Sequence, residues 1–511
     1  MEYYSDEGDD MPVSPNAQYF NSSVLSFCIL GVLELEIPFD DSQSLTLLKN
    51  LFLPINRRFS SIMVRDRNGV QKWKRVEVKL EDHINVPSFP TGLSPEFYDK
   101  YFNDYLSKIS LDQFPQNKPL WEVHILKYAT SNAAGHIIFK LHHALGDGFS
   151  LMGALLSCLQ RADNPSLPLT FPSRESSSGR DGKNNGILRG LGHVFTGIAD
   201  TVLDFGSTFV KDGQTPIRSG EDGVEFRPNV ITTVTFSLDR VKQIKAKLGV
   251  TINDVITGVI FLGTRLYMQQ SSSTKDDHDN QQQGNTNATA LVVLNTRALG
   301  GYKTIGEMVK PNSEMPWGNH FTFLHVSIPK LHGGATDDHA NLNPLRFVKE
   351  AHWIIKRKRN SAIVYLTGWM LEILRKFRGP EVAAEYFYNT MKNSSIVMSN
   401  LIGPVEKMAL AKHPIKGLYF TFIGSPEVVR VTLSGERRRL SSRMWRFRQS
   451  LSLVLEVLPE EADLIPPSFV LRFRVERGDI PSCFINYEAT SQASVHWRDW
   501  VEAVLGNPDS V

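Results

Sequence analysis

The residues best suited to chemistry are two adjacent histidines and an aspartate in the run Gly135 to Cys158, GHIIFKLHHALGDGFSLMGALLSC. An imidazole with an unperturbed pKa of roughly 6.5 takes and returns a proton near neutral pH. That is what acyl transfer to a hydroxyl requires. As base, the imidazole raises the nucleophilicity of an oxygen attacking a thioester carbonyl; as acid, it then protonates the departing thiolate. Asp147 offers a carboxylate that can accept a hydrogen bond or pair with an arginine, while Gly146 and Gly148 permit a tight turn around it. Two plainer readings stand beside this one: a lone strand histidine is ordinarily structural, and Asp147 is a ready cap for the helix pattern that follows. A Ser-His-Asp hydrolase is disfavoured because no G-x-S-x-G elbow accompanies the pair. A metal site is disfavoured because neighbouring strand residues such as His142 and His143 point to opposite faces.

The elements around these residues follow from hydrophobic period. At period two, Ile137, Phe139, Leu141 and His143 share one face and His136, Ile138, Lys140 and His142 the other, which puts His143 on the more apolar side. After Asp147, the residues Phe149, Met152, Leu155, Leu156 and Leu159 recur at helical spacing. A strand therefore delivers His143 to a turn, and a helix leaves it. Upstream, Ser23 to Ile37 reads as a strand stopped by Pro38, and SSIMVRD with WKRVEVKL reads as a hairpin through Asn68-Gly69. Pro119-Leu120-Trp121 opens a further strand. Downstream, VITTVTFSL is a strand, Asp239 to Leu248 a helix, and Thr251 the cap of another helix. ALVVLNTRALG, ending in Asn295-Thr296-Arg297, and WGNHFTFLHVSIP read as strands; His352 to Phe377 forms one or two helices, and SSIVMSNLIGPVEK a last strand.

Length and composition bound the rest. A chain of 511 residues calls for two large lobes, and 56 Lys and Arg against 54 Asp and Glu give no global reason to expect nucleic acid as partner. The cysteines Cys28, Cys158 and Cys483 are odd in number and widely spaced, which supports neither a disulfide framework nor a cysteine zinc site and fits a reducing compartment. The start, MEYYSDEGDD, lacks the pattern of a secretory signal. Leu188, Leu191, Phe195, Ile198, Val202, Phe205 and Phe209 repeat at helical spacing, interrupted by Asp200 and Asp204. Burying such carboxylates in a bilayer costs about 2.5–3.5 kcal/mol each, so an amphipathic helix on a membrane surface or on the protein is expected rather than a span. The expected division is a disordered acidic tail over 1–16, a first α/β lobe over 17–161, a linker and amphipathic crossover over 162–226, a second lobe over 227–423 and a divergent region over 424–511.

HHALGDG fits the pattern HHxxxDG, and it is accompanied in order by PLW at 119–121, ND at 253–254, WGN at 317–319 and SNxxGP at 399–404. With these motifs the chain resembles the wax ester synthase/diacylglycerol acyltransferase branch of the condensation-type, coenzyme A-dependent acyltransferases. The resemblance implies a two-lobed, chloramphenicol acetyltransferase-like α/β fold with mixed sheets and a tunnel between the lobes. It implies wax ester synthesis, and triacylglycerol synthesis as a further activity, from long-chain acyl-coenzyme A and a fatty alcohol or diacylglycerol. Acyl-coenzyme A enters as substrate, with no cofactor, no metal and no nucleic acid. Residue by residue, the resemblance makes His143 the general base, His142 its support and Asp147 the structural residue that orients the motif. Gly148, Asn253 and Asp254 support the motifs, and Pro119, Leu120 and Trp121 shape the substrate pocket. The expected location is the cytosolic face of the endoplasmic reticulum membrane, by peripheral association.

Two other readings keep the fold: a transferase for a phenolic or amine acceptor, and a non-catalytic lipid-binding homologue with an altered carboxyl end. The second arises because the sequence departs from the family pattern after Phe422-Ile423-Gly424 and carries Arg437, Arg438, Arg439, Arg443, Arg446 and Arg448. A solvated or poorly folded tail, and hence an incomplete second lobe, is expected there.

Overall fold

Two mixed sheets hold most of the strands, and each takes strands from distant parts of the chain. The computed structural model describes residues 10–67, 70–167, 169, 211–215, 217–218, 221–227, 230–273, 285–299, 317–331, 343–359, 361, 363–401, 406–426, 429–439 and 447–457. Its first half runs β1 (Met11–Pro12), α1 (Pro15–Phe20), β2 (Cys28–Leu35), β3 (Ser61–Arg65), β4 (Gln71–Arg75), β5 (Ile84–Asn85), α2 (Pro95–Leu111), β6 (Trp121–Leu126), β7 (Gly135–His142), α3 (Gly148–Ser157) and β8 (Gln160–Arg161). The second half begins with β9 (Val230–Ser237), α4 (Leu238–Leu248), α5 (Ile252–Ser273), β10 (Thr289–Asn295), β11 (Phe321–Ser327), α6 (Pro344–Arg359), α7 (Ile363–Arg378) and α8 (Pro380–Lys392). It closes with β12 (Ile396–Leu401), β13 (Met408–Leu410), β14 (His413–Ile423), β15 (Val429–Arg439) and β16 (Phe447–Val457).

The first sheet has seven strands in the order β5-β6-β7-β2-β14-β13-β8, and the second has six, β11-β10-β12-β15-β16-β9. Among the described strands of the first, only β5 and β6 run parallel; in the second, β12 runs parallel to both β10 and β15. This is the two-lobed, chloramphenicol acetyltransferase-like arrangement expected above. β2 and β7 are buried along their whole length, as their near-continuous apolar runs require of strands covered on both faces. They pair antiparallel with Cys28 opposite His142, so the register brings the end of β7 to the start of β2. α3, buried from Phe149 to Leu156, joins the core of this first lobe. In the second lobe, α5 and α6 approach so closely that a Cβ at Gly258 would lie 2.6 Å from the Val348 backbone; only glycine fits.

The chain's boundaries differ from expectation in two places. β13 and β14, assigned by sequence to the second lobe, join the first sheet, where Ile423 pairs with Cys28 and Ile415 with Leu35. The physical reason is that β2 leaves an edge that a long apolar strand, HPIKGLYFTFI, satisfies. The carboxyl region is not a tail over its described part: β15 and β16 pair with each other and insert between β12 and β9. They complete the second lobe, which removes the ground for the non-catalytic reading. The Asn68-Gly69 turn, the acidic start through residue 9 and the amphipathic pattern at 188–210 lie outside the described residues. Among the described residues, no single helix is long and apolar enough to cross a membrane.

A chain ending at Ser425 would strip β12 and β9 of their neighbours β15 and β16. It is expected to lose the second lobe's protection, read as rapid limited proteolysis and a broadened thermal transition relative to the full chain.

Candidate active site

β7 ends at His142, and the next residue is fixed through its backbone: His143 N–H donates to Phe27 O at 2.8 Å. The turn closes with Leu145 N–H on His142 O at 3.0 Å, and α3 begins at once, capped by Asp147, whose Oδ1 accepts from Ser150 N–H at 2.9 Å. The two histidines diverge. His142 Nδ1 accepts from Ala144 N–H at 3.1 Å, so its proton sits on Nε2, which donates to Ser26 Oγ at 3.0 Å. Burial first, then the neighbouring His143 and Lys140, push its pKa down to about 3, so it stays neutral. Its support is structural: it fastens the end of β7 to the segment before β2.

His143 lines a cavity of about 230 Å³ between the lobes. Its ring packs against Phe20, Phe321 and Phe27, with centroids 4.7, 5.5 and 6.2 Å away. Burial among these rings lowers its pKa, opposed by the Asp147 carboxylate. Nδ1 is buried with no hydrogen-bond partner among the described residues, which leaves Nε2 as the nitrogen available to the cavity. The cavity walls are largely apolar, from Phe321, Phe323, Phe387, Met391, Val397, Phe420 and Phe422, with Asn253, Asn295, Ser399, Asn400 and Thr421 as polar groups. A second cavity of about 200 Å³ shares Phe321, Phe323 and Phe387 with the first, so these rings form the partition.

Asp147 does not hold the imidazole; it holds the turn. Its Oδ2 accepts from Arg297 Nη1 at 2.6 Å and from His320 N–H at 2.8 Å, and the two paired side chains are only 5% and 7% exposed. Arg297 Nη2 donates to Ser150 Oγ at 3.0 Å and to Gly318 O at 2.7 Å. Trp317 and Asn319 complete the clamp: the indole N–H donates to Leu145 O at 2.8 Å, and Asn319 Nδ2 to His143 O at 2.9 Å. Gly318 sits at φ +124°, a backbone that glycine adopts freely, which lets consecutive residues 317 to 320 all face the turn. Arg58 adds a donor to Leu145 O at 2.9 Å.

The structure brings His143, Asp147, Gly148 and Asn253 to the cavity wall. Asn253 Oδ1 accepts from Asn400 Nδ2 there. Asp254 serves another purpose: its carboxylate accepts from Thr251 N–H at 2.8 Å while its N–H donates to Thr251 Oγ1 at 3.2 Å, a reciprocal cap of α5. It also pairs with His352 Nδ1 of α6 at 2.8 Å. Pro119, Leu120 and Trp121 do not line this cavity, contrary to the expectation that they shape the pocket. Trp121 is fully buried in the first lobe, donates to Phe59 O at 2.9 Å and packs against Phe52 and His83; Leu120 O accepts His142 N–H at 3.0 Å. An aromatic ring at the head of an interior strand has more apolar surface to bury in the core than at a cavity wall. Arg297 and Ser150 are functional positions that the sequence reading did not assign a role; an arginine two residues after the end of an apolar strand was the available signal. Cys28 and Cys158 are buried, which pushes both thiols up to about 12 and leaves them inert.

Removing Arg297 strands the Asp147 carboxylate out of water. Arg297→Ala is expected to destabilise the protein by roughly 3–5 kcal/mol in chemical denaturation, with Arg297→Lys recovering part of it. Acid should destabilise the wild type too. His142 and His136 both have native pKa values near 3 against 6.5 as model values. The unfolded chain therefore takes up protons that the native chain refuses, and stability, full above pH 6.5, falls as pH drops toward 3. Urea midpoints measured at pH 7, 6 and 5 check this.

Comparison with known proteins agrees with this geometry. A model of the wax ester synthase/diacylglycerol acyltransferase catalytic domain matches residues 70–256, and a model of the WS/DGAT C-terminal domain matches residues 317–437. The chain is similar to wax ester synthase/diacylglycerol acyltransferase 7 of Arabidopsis thaliana, 30% identical over 427 residues, covering 80% of this chain and 86% of that relative. It is similar to wax ester synthase/diacylglycerol acyltransferase 4 of the same plant, 29% identical over 445 residues and 83% of each chain. Among solved structures, the wax ester synthase/diacylglycerol acyltransferase from Marinobacter aquaeolei VT8 shares the fold, with a TM-score of 0.53 at 15% identity over 98% of this chain and 99% of that one. By two family models that include both the HHxxxDG turn and its Trp317–Asn319 clamp, and by relatives spanning most of its length, the chain belongs to the wax ester synthase/diacylglycerol acyltransferase family.

Proposed function

We propose that the protein is an O-acyltransferase that moves a long acyl chain from coenzyme A to a fatty alcohol, giving a wax ester, or to diacylglycerol, giving triacylglycerol. The observation that carries this reading is a buried histidine, His143, on the wall of an apolar cavity between the lobes, with its ring free of any charged partner in hydrogen-bond contact among the described residues. His143 Nε2 takes the proton of the acceptor hydroxyl as its oxygen attacks the thioester carbonyl. The carbon–sulfur bond breaks on collapse, and the same proton passes to the coenzyme A thiolate. Transfer is direct: no acyl-enzyme forms, and coenzyme A is a substrate rather than a bound cofactor. The cavity's phenylalanine walls suit alkyl chains, and the amides of Asn253, Asn295 and Asn400 supply donors for a developing oxyanion. Substrates of this kind reside in membranes, which supports a place at the cytosolic face of the endoplasmic reticulum membrane by peripheral association.

Purified protein supplied with labelled acyl-coenzyme A and a panel of fatty alcohol, diacylglycerol and phenolic alcohol should yield esters of the first two, separable by thin-layer chromatography. His143→Ala should lower turnover by about a hundredfold to ten-thousandfold with folding intact. Burial holds the His143 pKa below its ordinary 6.5, which favours the unprotonated base. The acid limb of kcat/KM is expected to have its midpoint below pH 6.5; a midpoint above it would contradict the assignment.

A further inference from the structure

α6 and α7 pack on opposite faces of β11, the outer strand of the second sheet. Leu324 and Val326 cluster with Phe347 and Val348 of α6, whereas Phe321 and Phe323 cluster with Leu371 and Leu374 of α7. The outward side of α7 is unusual. On α7, Leu366, Trp369 and Phe377 are 38%, 66% and 73% exposed, beside Lys376 and Arg378. A water-facing helix side has no reason to carry large aromatic residues among cations, and this pairing is the chemistry of the membrane interface. Indole rings sit at headgroup level, aliphatic and phenyl groups enter the acyl boundary, and lysines face anionic lipid.

The inward side of α7 adds a second, independent observation. Thr367, Leu371 and the rim ion pair of Glu372 with Arg375 line the second cavity, which meets the His143 cavity at Phe321, Phe323 and Phe387. One helix thus presents aromatic groups outward and, inward, lines a cavity that shares a wall of three phenylalanines with the cavity of the base.

We propose that the outward side of α7 docks on an anionic lipid surface, and that α7 admits the long-chain substrate from that surface into the second cavity, beside Phe321 and Phe387. The docking part stands on exposure and charge alone; the admission part rests on the acyltransferase reading above.

Cosedimentation of the full chain with vesicles of phosphatidylcholine, with and without phosphatidylserine, tests the surface. The wild type should bind the phosphatidylserine vesicles and be released by salt. The variant Leu366→Ser/Trp369→Ser/Phe377→Ser should lose at least about tenfold in partitioning. Lys376→Gln/Arg378→Gln should lose the preference for phosphatidylserine. Both variants should acylate a short, water-dispersed alcohol as the wild type does, which shows that they are folded, and should fall in rate with an alcohol carried in the vesicles. Wild-type-like vesicle binding by the triple variant, or no binding by the wild type, overturns the proposal. So does concentration-dependent self-association that the triple variant abolishes, since a second copy would then cover this face. Vesicle binding as expected with no transfer to any alcohol would refute the acyltransferase reading and leave docking standing.

Discussion

The arrangement depends on one buried ion pair, Asp147 with Arg297, formed between a carboxylate at the first lobe's key turn and a guanidinium that follows a strand of the second. Neither charge is tolerable alone away from water, so the pair holds the lobes in one relation to each other wherever it forms. The same carboxylate caps α3 and accepts the His320 N–H, which spends nearly all of its lone-pair capacity on backbone order. In a serine hydrolase the acid orients the imidazole itself. Here it orients the peptide that carries the imidazole, and Trp317 and Asn319 take the turn's remaining carbonyls. The ring is left without an ionic partner, and a base without one releases its proton readily to a thiolate.

Burial does two things at once around His143. The rings of Phe20, Phe27 and Phe321 deny the imidazolium its solvation, and Phe27 and Phe321 also line an apolar volume that continues to Phe420 and Phe422 of β14. A cavity that favours alkyl chains therefore favours the neutral base as well; the two properties have one cause. His142 experiences the same burial with a different outcome, because both of its nitrogens are committed to Ser26 and Ala144.

What could be read from the sequence was what short-range period and local chemistry determine. Alternation placed His143 on the apolar face of β7, the change of period located α3, and Thr251 announced the cap of α5. What escaped was contact across long separations. Arg297 and Gly318 lie more than a hundred residues from Asp147, and nothing in their local composition names that partner. Pro119-Leu120-Trp121 carried a family association with pocket shape, yet the indole satisfies its N–H on Phe59 inside the first lobe. The carboxyl region misled for a different reason: Arg430, Glu436 and the arginines from 437 onward raise its polarity, and charge content outweighed the alternation of Val429, Val431 and Leu433 that marks β15.

β14 has one more implication, for the time course of folding. The central strand β2 leaves synthesis among the first, yet its partner on one side is a strand centred near residue 418. Until then β2 has β7 on one flank and bare amide and carbonyl groups on the other, an open edge of eight buried-type residues. High contact order of this sort slows folding, and an unpaired apolar edge invites strands from other chains. The core sheet of the first lobe therefore stays incomplete until nearly the whole second lobe has been synthesised.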